Sequence, residues 1–254
     1  MSVVTERVLP RAAWHTADVV EVRRETPTAA RIVLDVAGWP GNLPGQHLDV
    51  RLTAPDGYTA TRSYSIASAG DGARVVLAVA RVPDGEVSPF LIDELRAGDR
   101  LEVHGPLGAY FVWRAPADGG AGRPVQLIAG GSGVVPLYAI AQAHLDAADA
   151  TPFRLLYSVR TPDDVFFAQE LDAAAHGSVP FVADYVYTRR APAGDDAPVG
   201  RLTRERLAAA TFGPEGDPLV YVCGATAFVE QVATWLVDRG HDPRAIRTER
   251  YGGT

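Results

Sequence analysis

The hydrophobic pattern changes character near the middle of the chain. In the first half, apolar positions alternate with polar ones over short runs at 18–23, 31–36, 47–52, 63–67, 75–81 and 101–104. Period-two alternation marks strands with one buried face. Turn formers separate the runs: Pro27, Gly38-Trp39-Pro40-Gly41, Pro55-Asp56-Gly57, Gly70-Asp71-Gly72 and Gly98-Asp99. Short strands spaced in this way predict a six-stranded antiparallel β-barrel. One helical stretch, 87–95, interrupts them, with Phe90, Leu91 and Leu95 on one face.

After a segment dense in Gly, Pro and Ala (115–124), the texture becomes strand–helix alternation. Apolar strands are predicted at 125–129, 153–159, 179–187, 219–223 and 246–249, with helices at 135–148, 163–175, 203–210 and 227–239. In the last helix Val229, Val232, Ala233, Leu236 and Val237 form one stripe, with Thr226 placed to cap the start and Gly240 the end. Five strands joined by crossover helices predict a doubly wound parallel α/β domain. The expected organisation is therefore domain 1–114, linker 115–124 and domain 125–254.

Composition narrows the function classes. At 254 residues and 47% hydrophobic content the chain reads as a soluble globular protein. No apolar run approaches the roughly 20 residues of a bilayer span. The polar start around Glu6 and Arg7 lacks the apolar core of a secretory signal, so a cytoplasmic location is expected. The net charge is −7, from 31 acids and 24 cations, all arginine. An acidic chain without a basic run argues against nucleic acid as a partner. Cys223 is the only cysteine, so thiolates from these residues cannot hold an iron–sulfur cluster. The six histidines show no metal-ligand spacing, and no metal site is expected.

Candidate chemistry gathers in a few segments. In Arg62-Ser63-Tyr64-Ser65, alternation sets Arg62 and Tyr64 on one strand face and the serines on the other. An arginine can fork onto phosphate, a tyrosine can lie against an isoalloxazine, and a serine can bond to flavin N5. The plain alternative is a barrel strand with a surface arginine. Gly85-Glu86-Val87-Ser88 opens the first helix, where free N–H groups and a hydroxyl suit a diphosphate or simply start a helix. Arg81, before it, is a further cofactor-binding candidate. Gly105-Pro106-Leu107-Gly108 reads as a tight turn, and Tyr110, Phe111 and Trp113 as packing or an adenine platform.

Gly131-Ser132-Gly133, followed by Pro136 in the first turn of a helix, lies between a strand and a helix, as a dinucleotide pyrophosphate requires. Ser158, Arg160, Thr188, Arg189 and Arg190 follow the next two strands, where arginines can meet an adenosine 2′-phosphate or lie solvated. Cys223-Gly224 closes the fourth strand. Gly224 allows close approach of a ring, while Cys223 reads equally as a small core residue. Glu249 and Tyr251 follow the last strand.

In this order, together with Pro44-Gly45-Gln46-His47, these motifs resemble the ferredoxin–NADP reductase family from about Thr16 to Tyr251. The resemblance implies that Arg62, Tyr64 and Ser65 bind FAD, with Val87 and Ser88 at its diphosphate. It puts Gly131, Ser132 and Gly133 at the NAD(P) pyrophosphate and Cys223 near the nicotinamide. Glu249 and Tyr251 match the glutamate-x-tyrosine ending of plant-type members, whose tyrosine covers the flavin, although here Gly252-Gly253-Thr254 follow. Hydride would pass from NAD(P)H, with NADPH preferred, to FAD. Single electrons would then go to a separate acceptor such as a ferredoxin or an oxidoreductase component. Alternatives are a free-flavin or ferric reductase, a permanently bound electron-transfer subunit, or an NAD(P) sensor without turnover.

Overall fold

The computed structural model describes residues 12–116, 120–194 and 197–252. Alternation in the first half becomes one antiparallel sheet. Its strands are β1 (Ala13–Thr26), β2 (Ala29–Val36), β3 (His47–Thr53), β4 (Thr59–Ser65), β5 (Arg74–Ala80) and β6 (Arg100–Leu107), in spatial order β4-β3-β6-β1-β2-β5. Ala17, Ile32, Leu34, Leu48, Val50, Val75, Leu77 and Val103 fill its inner face. The sheet curls until its edge strands meet at one end. There Ile66 bridges Leu77, and the Ala67 N–H donates to the Val76 carbonyl at 2.7 Å. The ladder stops there, so β4 and β5 are parted by a seam. The short helix α1 (Ser88–Asp93) closes the barrel beside it, burying Leu91 and Ile92.

The second half is a parallel sheet of β7 (Val125–Gly130), β8 (Phe153–Val159), β9 (Phe181–Tyr187), β10 (Leu219–Ala225) and β11 (Ile246–Tyr251), in order β11-β10-β7-β8-β9. Helices α2 (Val134–Ala147), α3 (Ala168–Ala175), α4 (Arg204–Ala210) and α5 (Thr226–Asp238) link the strands. The chain steps from β7 outward to β9, then returns to the other side of β7 for β10. The strand order thus reverses between β7 and β10, and a crevice opens at their carboxyl ends. Among the described residues no helix is long and apolar enough to cross a membrane.

A continuous apolar cluster joins the two halves. Ala29, Ala67 and Ala78 of the barrel pack with Phe111 and Trp113 and with Val134, Val135, Tyr157, Phe166 and Phe167. A polar latch crosses the same boundary. Arg31 donates to Glu25 at 2.6 Å and to Glu170 at 2.5 Å, while Glu25 also accepts the Phe167 N–H at 2.5 Å.

Several local expectations are corrected. The strand predicted at 63–67 is β4, displaced toward the N-terminus because Ile66 and Ala67 turn inward to close the barrel end. Gly105-Pro106-Leu107 is not a turn but the end of β6, paired with β1 and β3. The helix predicted from 163 starts at Ala168. A 3-10 turn at Pro162–Asp164 gives way to extended Val165, and Phe167 takes a left-handed φ of 56° that breaks the helical run, with Val165, Phe166 and Phe167 all buried. Thr226 does not cap α5. It is the first helical residue, and its hydroxyl donates to the Gly252 carbonyl at 3.3 Å. Gly240, with φ 102°, does end that helix. Glu6 and Arg7, Ala117-Asp118-Gly119 of the expected linker, and Gly253-Thr254 lie outside the described residues.

Candidate functional site

The first group of candidates lines the seam. The β3–β4 register sets Arg62 opposite Val50 and Tyr64 opposite Leu48, two fully buried residues, so Arg62 and Tyr64 share the inner face of β4 at the sheet edge. Tyr64 packs on the barrel core, and burial pushes its phenol up to about 12. Arg62 donates to Glu86 at 2.8 Å, and the Tyr58 hydroxyl donates to the other oxygen of Glu86, also at 2.8 Å. Arg81 pairs with Asp93 of α1.

Gly85 sits in a tight turn, its N–H donating to the Val82 carbonyl at 3.0 Å. Val87 and the Ser88 hydroxyl are buried, the latter accepting the Val82 N–H at 3.0 Å. What these two residues can offer a ligand is therefore backbone N–H at a helix start, where no intrahelical acceptor exists. Ser63 stands apart from the seam: it faces the other side of β4 and donates to Asp49 at 2.5 Å.

The second group forms a shelf of bare backbone at the crevice. Gly131 takes a left-handed φ of 55°. A Cβ on Gly133 would lie 2.3 Å from the Cys223 carbonyl oxygen, so only glycine lets the turn press this close to β10. Cβ atoms on Gly130 and Gly224 would strike the Phe228 ring at 2.8 and 2.9 Å. With Ser132 between them and α2 beginning at Val134, these glycines give room and N–H donors suited to a pyrophosphate.

At the far side of the shelf the arginines are partly committed. Arg160 donates to Asp164 at 2.8 Å and Arg190 pairs with Asp163. Thr188 and Arg189 donate their backbone N–H groups to the Val159 and Arg160 carbonyls at 2.8 and 2.9 Å. The Arg189 side chain is exposed and makes no ion pair among the described residues. Phe111 and Trp113 are buried core, whereas Tyr110 is 61% exposed.

Between the two groups the barrel faces the end of β11, where His47 approaches Glu249. Parallel register sets Cys223 beside Glu249 and Ala225 beside Tyr251. Burial pushes the Cys223 thiol up and the Glu249 carboxyl up to about 7. From the barrel, His47 Nδ1 comes within 3.9 Å of Glu249 Oε1, and His47 lies directly opposite Ser65 in the β3–β4 ladder. Tyr251 donates its hydroxyl to the Gly130 carbonyl, so its ring stands over the glycine shelf. Sequence reasoning gave no role to His47, Glu86, Asp163, Asp164 or Phe228. His47 and Glu86 stand inside motifs that were recognised. The other three carry no local signal and become visible only through packing.

Comparison with known proteins decides the family. The oxidoreductase FAD-binding domain matches residues 29–112, and the oxidoreductase NAD-binding domain matches residues 127–234. Ferredoxin--NADP reductase B of Sorangium cellulosum is 33% identical over 247 residues, covering 92% of this chain and 96% of that protein. The chain belongs to the ferredoxin–NADP reductase family. As a member of it, the protein is an NAD(P)H-dependent flavoprotein oxidoreductase with FAD- and NAD(P)-binding parts.

Other members extend the comparison. A 2-halobenzoate 1,2-dioxygenase electron transfer component from Burkholderia cepacia is 28% identical over 94% of this chain and 68% of its own. The crystal structure of an Amycolatopsis cytochrome P450 reductase superposes with a TM-score of 0.82 at 29% identity, over 98% of this chain and 73% of that one. The chain spans between 41% and 68% of the length of the oxygenase-component relatives it matches.

Proposed function

We propose that this protein carries electrons from NADPH, through FAD, to a separate one-electron acceptor protein such as a ferredoxin or an oxygenase component. The observation that carries the reading is convergence. The seam lined by Arg62 and Tyr64 and the shelf of Gly131, Ser132 and Gly133 flank the point where His47, opposite Ser65 in the barrel, comes within 3.9 Å of Glu249, the neighbour of Cys223.

In this reading Arg62 and Arg81 neutralise the FAD diphosphate, with backbone N–H groups from Gly85 to Ser88. Tyr64 lies against the ring system, and Ser65 bonds near its N5. Gly131, Ser132 and Gly133 seat the NADP pyrophosphate. Arg160, Thr188 and Arg189 meet the 2′-phosphate, and Cys223-Gly224 leave room for the nicotinamide. FAD supplies the conversion of one hydride into two single electrons. The chain's own task is to align the two rings and exclude water between them.

The relatives named as oxygenase electron-transfer components support the choice of a protein acceptor. We take residues 1–114 and 125–254 as the two binding domains, with 115–124 as the linker, and the cytoplasm as the compartment in which Cys223 stays reduced. The test is direct. The purified protein should be yellow and release FAD on acid treatment. NADPH should bleach it without oxygen, and ferricyanide should restore the colour. A protein that takes up no flavin, or whose flavin NAD(P)H leaves oxidised, overturns the reading.

A further inference from the structure

The barrel reaches into the loop that carries the nucleotide arginines. β1 bulges at Glu25: Arg24 pairs with Ala30 and Thr26 with Ala29, so Glu25 has no partner in the β1–β2 ladder. A bulge re-aims a side chain, and this one enters the boundary between the two halves with only 5% of its surface exposed. A buried carboxylate persists only where its oxygens are satisfied. Glu25 Oε2 accepts Arg31 Nε at 2.6 Å, while Oε1 accepts Arg31 Nη2 at 3.0 Å and the Phe167 N–H at 2.5 Å.

Phe167 is the N-cap of α3 and stands in the left-handed region, with φ 56° and ψ 33°. A non-glycine residue stays there only when its surroundings impose it. Its ring stacks on Tyr138 of α2, 3.8 Å between centroids, and the Arg31 guanidinium of the barrel lies 4.6 Å from the ring centre. In a capping box the N3 acid reaches back to the N-cap N–H. Here the N3 acid is Glu170, but its Oε1 takes Arg31 at 2.5 Å, and Glu25 receives the N–H in its place. The start of α3 is thus capped from the other domain.

The loop ahead of that cap holds the candidate 2′-phosphate groups. Arg160 donates to Asp164 Oδ1 at 2.8 Å, and the Thr161 hydroxyl donates to Oδ2 at 2.7 Å. Asp163 pairs with Arg190. Only Val165 and Phe166 part Asp164 from Phe167. The Phe166 N–H makes a long bond of 3.4 Å to the Tyr157 hydroxyl, a weak tie beside the 2.5 Å bond to Glu25.

We propose that Glu25, seated by Arg31, is the positioning residue of the 160–167 loop. The FAD-binding half thereby sets the shape in which the other half receives the adenosine 2′-phosphate of NADPH. The role rests on the reading of Arg160, Thr188 and Arg189 as the groups that meet that phosphate. A loop held in its binding shape lowers the cost of association, so the effect falls on nucleotide affinity and not on hydride transfer.

The experiment uses the oxidised FAD-loaded protein and two probes: 2′,5′-ADP, which carries the adenosine 2′-phosphate, and 5′-AMP, which lacks it. Glu25→Leu strands the Phe167 N–H and should weaken 2′,5′-ADP binding at least about tenfold by calorimetry. Glu25→Gln keeps an oxygen for both bonds of Oε1 and should stay within about threefold of wild type. In stopped flow, Glu25→Leu should raise the NADPH concentration for half-maximal flavin reduction by a similar factor, with a limiting rate within about twofold of wild type. Hydrogen exchange followed by NMR needs no variant to fold. In the wild-type holoprotein without nucleotide it should find the Phe167 amide already protected.

Unchanged 2′,5′-ADP affinity in Glu25→Leu, or a lower limiting rate at unchanged affinity, overturns the positioning role alone. So does a Glu25→Gln as damaging as Glu25→Leu, or a Phe167 amide that exchanges freely until nucleotide binds. Wild-type protein that binds 2′,5′-ADP no more tightly than 5′-AMP overturns the 2′-phosphate reading itself, and the positioning role with it.

Discussion

The Tyr251 hydroxyl donates to the Gly130 carbonyl, tying the last residue of β11 to the end of β7. A Cβ on Gly131 would stand 3.1 Å from the same oxygen. The phenol thus occupies the glycine shelf itself. The plant-type ending implies in addition that the ring covers the flavin. Competition is still expected, but with the nucleotide's pyrophosphate rather than with its nicotinamide alone. Tyr251→Phe removes only the hydrogen bond, worth about 0.5–1.5 kcal/mol, and should tighten NADP+ binding roughly two- to tenfold. Tyr251→Ser should tighten it further. Calorimetric titration of the oxidised holoprotein measures this, and unchanged Kd values in both variants would remove the idea.

Glu86 competes for Arg62 in the seam. Their 2.8 Å ion pair is exposed, so it contributes little to stability and breaks at little cost when a diphosphate arrives. Arg62→Ala should weaken FAD binding by about 1.5–3 kcal/mol, the value of a hydrogen bond to a charged group. Glu86→Gln should act in the opposite direction, because it frees Arg62 and removes a negative charge beside the phosphates. Flavin content after dialysis, with fluorescence titration of the apoprotein, checks both. Weaker flavin binding in Glu86→Gln would mean that Glu86 positions Arg62 instead of competing for it.

NADPH should be used with higher kcat/KM than NADH. Asp164 and Asp163 hold Arg160 and Arg190, so the preference should be modest and should depend on Arg189. Arg189→Ala should lower kcat/KM for NADPH while leaving that for NADH near wild type. Asp164→Asn should raise selectivity for NADPH by releasing Arg160. Equal kcat/KM values for the two nucleotides in the wild type contradict this assignment.

Much of this architecture was legible in the chain, for physical reasons that differ by element. Alternation found the barrel strands because Leu48 and Val50 must face inward while His47 and Asp49 do not. The glycine turn was legible because no side chain fits between Gly133 and Cys223. Boundaries failed where tertiary packing overrode local pattern. Phe166 and Phe167 break a helix that reads as continuous, and Ile66 leaves β4 to close the barrel end. Pairings across the two halves were invisible in sequence. Arg31 with Glu170 is separated by 139 residues, and nothing in the local pattern of either residue marks the other. His47 with Glu249 is of the same kind.

Glu249 should impose a pH dependence on stability. Folding raises its carboxyl to about 7 through burial, whereas the unfolded chain has the ordinary value of 4.5. The folded state therefore binds the proton more tightly over that interval. The stabilisation is fully present below about pH 4.5, is lost as pH rises through about 7, and changes little above. At roughly 1.4 kcal/mol per pKa unit, and discounting for the part of the side chain that stays wet, the loss should be on the order of 1–3 kcal/mol. Glu249→Gln has no proton to lose and should flatten this part of the profile, gaining stability relative to wild type at pH 8 but not at pH 4.5. Urea unfolding of the flavin-free protein at several pH values reads the difference directly. Parallel profiles for the two proteins would show that Glu249 ionises in the fold as easily as in water.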